Sequence, residues 1–298
     1  MLDEARQCLA RGDWQRTIDL ARAFLRGSPS HGDALALVAT ASEKLERYDE
    51  AIASWMNAVA SDPTRADRMI ALAMAMMRSN NAHKALETLS LAETMHPNMP
   101  DVLMARGNVL RSLGRFDEAE SYQRRALALS PGNAAILGNL CALYLAQNRP
   151  TEALFYAEQA LTVAPNNIEL SYNYATTLFH LKRLDEALVV LRRVVEQSPT
   201  FEKAWLNLGE TLVELERDDE AIAAFERAID LSPNDADAHF NLAMRLLFRG
   251  EWKRGFAEYE WRRHIPSIPL RRLEKPAWTG EPMPGKTLVV TAEQGIGD

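Results

Sequence analysis

The apolar positions of this chain follow a pattern that returns every 34 residues. Seven of its 14 prolines mark the same point of the pattern, each 34 residues after the last. They are Pro29, Pro63, Pro97, Pro131, Pro165, Pro199 and Pro233. Because proline cannot continue a helix, each one is expected to follow the end of a helical segment. The chain is therefore predicted to be an array of equal helical repeats.

Small residues occupy fixed places within the repeat. We number its positions from residues 202–235, so that Gly209 is position 8, Ala221 position 20 and Pro233 position 32. Position 20 is alanine in every complete repeat. Position 8 is always small: Ala39, Ala73, Gly107, Cys141, Ala175, Gly209 and Ala243. Since small side chains let two helices approach closely, each repeat is predicted to be a pair of antiparallel helices.

The two helices of a repeat, A and B, are expected over about positions 1–14 and 18–31. An aspartate stands at position 18 in three repeats, as Asp49, Asp117 and Asp185. Aspartate is a favoured residue at the start of a helix, where its carboxylate accepts hydrogen bonds from free backbone N–H groups. The sequence therefore predicts that this residue caps helix B.

The pattern resembles the tetratricopeptide repeat, whose Trp, Leu-Gly, Tyr, Ala, Phe, Ala, Pro scheme residues 202–235 follow closely with Trp205, Leu208-Gly209, Phe225 and Pro233 among others. The resemblance covers residues 1–265 and implies an all-α, right-handed superhelical solenoid of about seven to eight repeats. The complete repeats are 32–65, 66–99, 100–133, 134–167, 168–201 and 202–235. A partial repeat (1–31) precedes them, and an atypical capping repeat (236–265) follows, as expected at the ends of a stack.

Charge and residue content disfavour several classes of partner and site for this chain. The net charge of -7 disfavours nucleic acid as the main partner. The polar start of the chain lacks a secretion signal, no apolar run could span a membrane, and two distant cysteines suit free thiols, so a cytoplasmic location is expected. Cys141 stands at a small core position, and the six histidines share no ligand-like spacing. We expect no metal, cofactor or catalytic residues in this chain.

Asparagine recurs at position 6 in four successive repeats. These residues are Asn139, Asn173, Asn207 and Asn241. The family resemblance places position 6 on the concave face of the solenoid. An asparagine amide can bond both the C=O and the N–H of an extended peptide, whatever its side chains are. The row therefore predicts a ladder that grips a polypeptide backbone. The alternative is a polar residue merely tolerated on a wet helix face.

Apolar side chains accompany the ladder at other positions expected in the groove. They are Tyr172, Phe179, Leu206, Val213, Phe240 and Met244. An exposed apolar strip of this kind usually marks a partner site. The alternative, strongest for the group from Phe240 to Phe248, is that these side chains pack against a neighbouring helix or against the C-terminal segment.

Residues 266–298 break the helical pattern. Five prolines precede a short β-branched run at 287–291 and the loop Gly295-Ile296-Gly297-Asp298. The segment 276–298 resembles the junction at which bacterial proteins join tetratricopeptide repeats to a heptosyltransferase-like glycosyltransferase domain. The resemblance implies a Pro-rich linker and the first strand of a truncated Rossmann-like domain of the GT-B fold, with Gly295, Gly297 and Asp298 in a nucleotide-sugar loop. An unrelated tail is the alternative.

These features predict a protein-interaction module that binds an extended polypeptide and serves as the acceptor-recognition region of a bacterial glycosyltransferase. The layout is similar to that of the O-linked N-acetylglucosamine transferases, in which an asparagine ladder holds the acceptor. The chain alone is not expected to be catalytic. The alternative is a self-assembling or adaptor scaffold without a link to glycosylation, in which the groove takes the end of a second copy.

Overall fold

The computed structural model describes residues 1–266 and residue 268. This part of the chain contains sixteen α-helices, a short 3₁₀ helix at Glu260–His264 and no strand. The predicted strand and glycine loop lie outside the described residues. The helices are α1 (Leu2–Ala10), α2 (Trp14–Leu25), α3 (Gly32–Lys44), α4 (Tyr48–Ser61), α5 (Ala66–Arg78), α6 (Ala82–Met95), α7 (Pro100–Ser112), α8 (Phe116–Leu129), α9 (Ala134–Ala146), α10 (Pro150–Val163), α11 (Ile168–His180), α12 (Leu184–Gln197), α13 (Glu202–Glu214), α14 (Asp218–Leu231), α15 (Ala236–Phe248) and α16 (Trp252–Tyr259).

The helices group into two compact units, Met1–Leu181 and a second that starts at Lys182. Odd-numbered helices are A helices and even-numbered ones are B helices. Within each unit every helix contacts the next along the chain, and from α3 onward the most extensive contacts join A and B of one repeat. The predicted fold class, an all-α solenoid of helix pairs, is confirmed.

The inner side of the first unit is formed by its A helices. Helices α5, α7, α9 and α11 contact one another in succession, and α1 contacts α3. Within the described residues, no two successive B helices make comparable contact. A stack whose A helices are closer together than its B helices must curve with the A helices inside. Position 6 of the repeat belongs to this A layer.

Helix B starts earlier than the sequence predicts, and the predicted aspartate cap is wrong. Helices α4, α8 and α12 begin at position 17, which places Asp49, Asp117 and Asp185 inside the first helical turn. The residue before each helix is an arginine whose side chain makes no capping hydrogen bond. The aspartates still favour the helix start, because negative charge there is attracted to the helix dipole.

The turn between helices A and B explains this earlier start. Its residue at position 15 has a positive φ in all eight A–B turns of the described chain: Gly12, Glu46, Asn80, Gly114, Asn148, Lys182, Glu216 and Gly250. A left-handed residue ends helix A sharply and turns the chain back within three residues. Only three of these residues are glycine, so the turn has no single sequence signal.

Residues of positions 8 and 24 pack against each other inside the core of a repeat. In the second unit Phe225 is completely buried, and a Cβ added to Gly209 would lie 2.6 Å from Cδ1 of its ring. In the first unit the same positions carry Gly107 and Gln123 in one repeat and Cys141 and Ala157 in the next. Cys141 and Ala157 are both buried, so the predicted core role of Cys141 is confirmed.

Replacing Gly209 by alanine should therefore lower the free energy of unfolding by about 1–3 kcal/mol, because overpacking outweighs the better helix propensity of alanine. Urea denaturation followed by circular dichroism measures the change. Gly132→Ala is the control, since a Cβ there meets nothing within 4 Å. Combining Gly209→Ala with Phe225→Leu should cost less than the sum of the two single changes. Strict additivity would contradict the direct contact.

Candidate functional site: the asparagine positions of the A helices

The four asparagines of position 6 all lie on A helices. Asn139 is on α9 and Asn173 on α11, in the first unit, while Asn207 on α13 and Asn241 on α15 belong to the second. All four residues are half-buried. Each unit therefore holds one pair of asparagines on the helices of its A layer, at the same place in successive repeats.

In the first unit the asparagine amides are available to a partner. Neither the Asn139 nor the Asn173 side chain forms a hydrogen bond within the residues that the structure describes. The backbone carbonyl of Asn173 accepts a 2.8 Å hydrogen bond from Thr177 Oγ1, and this bond does not involve the Asn173 side chain. A half-buried amide that is not bonded within the protein loses free energy unless water or a ligand satisfies it. These two groups can donate to and accept from a bound backbone.

In the second unit one asparagine is tied to a carboxylate. Nδ2 of Asn241 donates a 3.2 Å hydrogen bond to Oε1 of Glu210 on α13. Glu210 occupies position 9, one turn after Asn207. Burial raises the pKa of the Glu210 carboxyl above its ordinary value. The hydrogen bond from Asn241 opposes this shift, and the negative charges of Asp237 and Asp235 add to it.

The apolar residues predicted to accompany the ladder are all accessible in part. Tyr172 and Phe179 on α11 are half-buried, as are Leu206 and Val213 on α13 and Phe240 on α15. Met244 is 40% exposed.

Two aromatic residues of α15 differ in whether they pack against a neighbouring helix, which was the alternative to an exposed binding strip. Phe240 packs in part within the second unit, because its ring centroid lies 5.7 Å from that of Tyr259 on α16. Phe248 is 76% exposed, and only the Arg245 guanidinium, 5.7 Å from the ring centroid, covers one face of its ring. The described residues therefore bury Phe240 in part and leave Phe248 open.

Glu210 is the functional candidate that the sequence reasoning missed. The sequence nevertheless distinguishes Glu210, because position 9 is uncharged in the other five complete repeats and in the capping repeat. The residues there are Thr40, Met74, Asn108, Ala142, Thr176 and Met244. A single acidic residue at a groove position that is uncharged in the other complete repeats indicates a local requirement that the repeat itself does not impose.

Comparison with known proteins places the chain in a family. Three models of the tetratricopeptide repeat match it, over residues 2–66, 98–166 and two overlapping stretches, 144–205 and 182–239. Together they cover well over half of the chain. The chain belongs to the tetratricopeptide-repeat family. No curated protein matches its sequence. A tetratricopeptide-repeat array is a scaffold for protein–protein interaction, and the accessible A-helix residues agree with this role.

Solved structures share the tetratricopeptide-repeat fold of this chain. A chain of the APC/C hetero-tetramer Cut9–Hcn1 superposes with a TM-score of 0.70 at 17% identity, over 90% of this chain and 53% of that one. A tetratricopeptide-repeat protein from Parabacteroides merdae gives 0.68 at 15% identity, with coverages of 82% and 97%. The Thermus thermophilus protein TTC0263 gives 0.53 at 28% identity, with 60% and 97%. This chain thus spans about half the length of the Cut9–Hcn1 chain that it matches.

The remaining site predictions concern metals, membranes and the C-terminal loop. Among the described residues of this tetratricopeptide-repeat chain, no cluster of histidine, cysteine, aspartate or glutamate could hold a metal ion. None of the described helices is both long and apolar enough to cross a bilayer. Gly295, Gly297 and Asp298, which the sequence assigns to a nucleotide-sugar loop, lie outside the described residues.

Proposed function

We propose that this chain binds an extended polypeptide through the asparagines of its A helices. The observation that carries the proposal is the state of Asn139 and Asn173, whose half-buried amides have no partner in the described chain. Their helices contact each other, so the two amides sit on adjacent members of one layer. A peptide backbone offers a donor and an acceptor at every residue, which matches what each amide offers.

Partly exposed apolar side chains supply the second part of the binding surface. Tyr172 and Phe179 flank Asn173 on α11, and Leu206 and Val213 flank Asn207 on α13. Contacts to the backbone are independent of sequence, whereas pockets between apolar side chains select among sequences. The combination fits a module that accepts many polypeptides and prefers some of them.

Replacing Asn139, Asn173, Asn207 and Asn241 together by alanine tests the proposal. A net hydrogen bond contributes about 0.5–1.5 kcal/mol, so four lost side chains should weaken binding at least about 30-fold. The probe is a fluorescein-labelled peptide selected by the wild-type chain from a random 16-residue library, and fluorescence polarisation gives its Kd. Circular dichroism confirms that the variant remains helical.

The matched control removes four asparagines that are exposed and lie off the A helices. These are Asn57, Asn98, Asn166 and Asn234. Their replacement by alanine should leave the Kd within about twofold. Equal affinity of the ladder variant and this control would refute the asparagine ladder. If light scattering shows that the chain forms dimers, and the peptide binds only to the dimer, the result would instead support the self-assembling scaffold.

We also propose that the bound polypeptide is the acceptor of a glycosyltransferase domain that follows this chain. The support is the resemblance of residues 276–298 to the junction with a heptosyltransferase-like domain. The coding sequence after Asp298 provides the test. A helix followed by further strand–helix units is expected, because the loop at Gly295 to Asp298 would open the first half of a GT-B fold. A stop codon directly after Asp298 would exclude the proposal.

A further inference from the structure

Glu210, a partly buried glutamate in the body of a helix, has no basic partner. Glu202, which is also partly buried and unpaired, lies in the first turn of α13, where the helix dipole favours negative charge. Other partly buried glutamates of the described chain are paired. Glu43 pairs with Arg78, Glu93 with Arg106 and Arg125, Glu120 with Arg124 and Arg149, and Glu258 with His239. Removing a carboxylate from water is costly, and proteins offset the cost by placing a cation beside it. At Glu210 only the Asn241 amide does so.

The charged groups near Glu210 do not replace the missing cation. The nearest ionised groups on the neighbouring helix α15 and its cap are the acids Asp237 and Asp235, which repel it. One turn further along α13, Glu214 is more exposed and is paired with Lys182 at 2.7 Å. The second unit therefore supplies a cation to the carboxylate that needs it less. The half-buried Glu210 carboxylate therefore has no cation with which to form an ion pair.

The hydrogen bond from Asn241 leaves this carboxylate able to accept from a ligand. Asn241 engages one oxygen, Oε1, and an ionised carboxylate has acceptor capacity at both oxygens. Met244, 40% exposed, and the half-buried Phe240 lie on α15 on either side of Asn241. A long basic side chain has an apolar stem and a charged head, and these groups offer apolar surface for the stem and a carboxylate for the head.

We propose that Glu210 selects a lysine or arginine side chain of the bound polypeptide. The inference rests on the proposed function, since it assigns one specificity position to the same binding surface. The ammonium or guanidinium group completes the ion pair with Glu210, and Asn241 holds the carboxylate in place. The partner is thus an extended polypeptide with a basic residue at one defined position.

The experiment repeats the random-peptide selection with three full-length proteins: wild type, Glu210→Gln and Glu214→Gln. Glutamine keeps the size of the side chain and its acceptor for Asn241 but removes the charge. Peptides recovered by the wild type should be enriched in lysine and arginine at one position relative to the input library. Glu210→Gln should abolish that enrichment. Glu214→Gln, on the same helix, should preserve it.

Affinities then measure the size of the effect. The ligand pair is a peptide selected by the wild type and the same peptide with norleucine in place of its basic residue. The norleucine peptide should bind the wild type about tenfold more weakly than the parent peptide does. The two peptides should bind Glu210→Gln with equal affinity. Recovered peptides without basic enrichment, or enrichment that survives Glu210→Gln, would overturn the inference while leaving the ladder intact. If the wild type recovers no peptide, the proposed function fails and this inference fails with it.

Discussion

Replacing Phe225 by alanine should lower the free energy of unfolding by about 3–5 kcal/mol, the cost of emptying a fully buried aromatic position. Phe225 occupies position 24 in helix α14, and its side chain is completely buried against Gly209 of α13. The cavity cannot be refilled cheaply, because the ring packs against helix backbone where glycine has no side chain to move. Urea denaturation followed by circular dichroism measures the loss.

The control for this variant is Phe155→Ala. Phe155 also lies on a B helix, α10, but its side chain is 59% exposed. Truncation there removes little buried area, so we expect a change within about 0.5 kcal/mol. In a repeat array the loss at Phe225 falls first on its own repeat and its neighbours, so the transition should also broaden. Equal effects of the two substitutions would contradict the packing described here.

The Cys141 thiol should react at least about a hundredfold more slowly than an accessible thiol at pH 8, of which about a tenth is ionised. The side chain is completely buried, and this burial raises its pKa to about 11. Its Sγ lies 3.4 Å from Oγ1 of Thr177 on α11. Since the thiolate is the reactive form, a pKa about three units above the solution pH leaves roughly one thiol in a thousand ionised. Exclusion of the reagent slows the reaction further.

Ellman's reagent provides the measurement. The half-buried Cys8 gives the fast phase in the native wild type, and Cys8→Ser should therefore show almost no reaction until denaturant is added. The rate of Cys141 should rise as the pH approaches 11, because the ionised fraction rises with it. Rapid labelling of native Cys8→Ser at pH 8 would show that the α9–α11 core opens far more often than its packing implies.

The sequence predicts the fold because the repeat constrains buried positions at every turn of the array. Pro63 and Pro233, for example, follow their B helices by two residues, as their common register indicates. The start of helix B could not be read correctly, because the left-handed turn residue before it is Glu46 in one repeat and Gly114 in another. A conformation shared by such different side chains leaves little pattern to find.

The candidate site, like the fold, could be predicted from the sequence only in part. Position 6 was placed on the A helix by its repeat number alone, and Asn139 lies there. The pairing of Asn241 with Glu210 joins two repeats and depends on side-chain conformation, which periodicity does not specify. The uncharged residues at position 9 of the other complete repeats mark Glu210 as different, but only the absence of a cation around it indicates what kind of group it would bind.

The contact between Gly209 and Phe225 also bears on how such an array could evolve. Both residues belong to the same 34 residues, so duplicating or deleting that stretch carries the matched pair along intact. Recombination within the stretch would instead join a glycine inherited from one ancestor to an alanine from another, or an alanine to a phenylalanine. The size match thus favours gene rearrangements whose breakpoints fall between repeats, so whole repeats become the units that selection can add or remove.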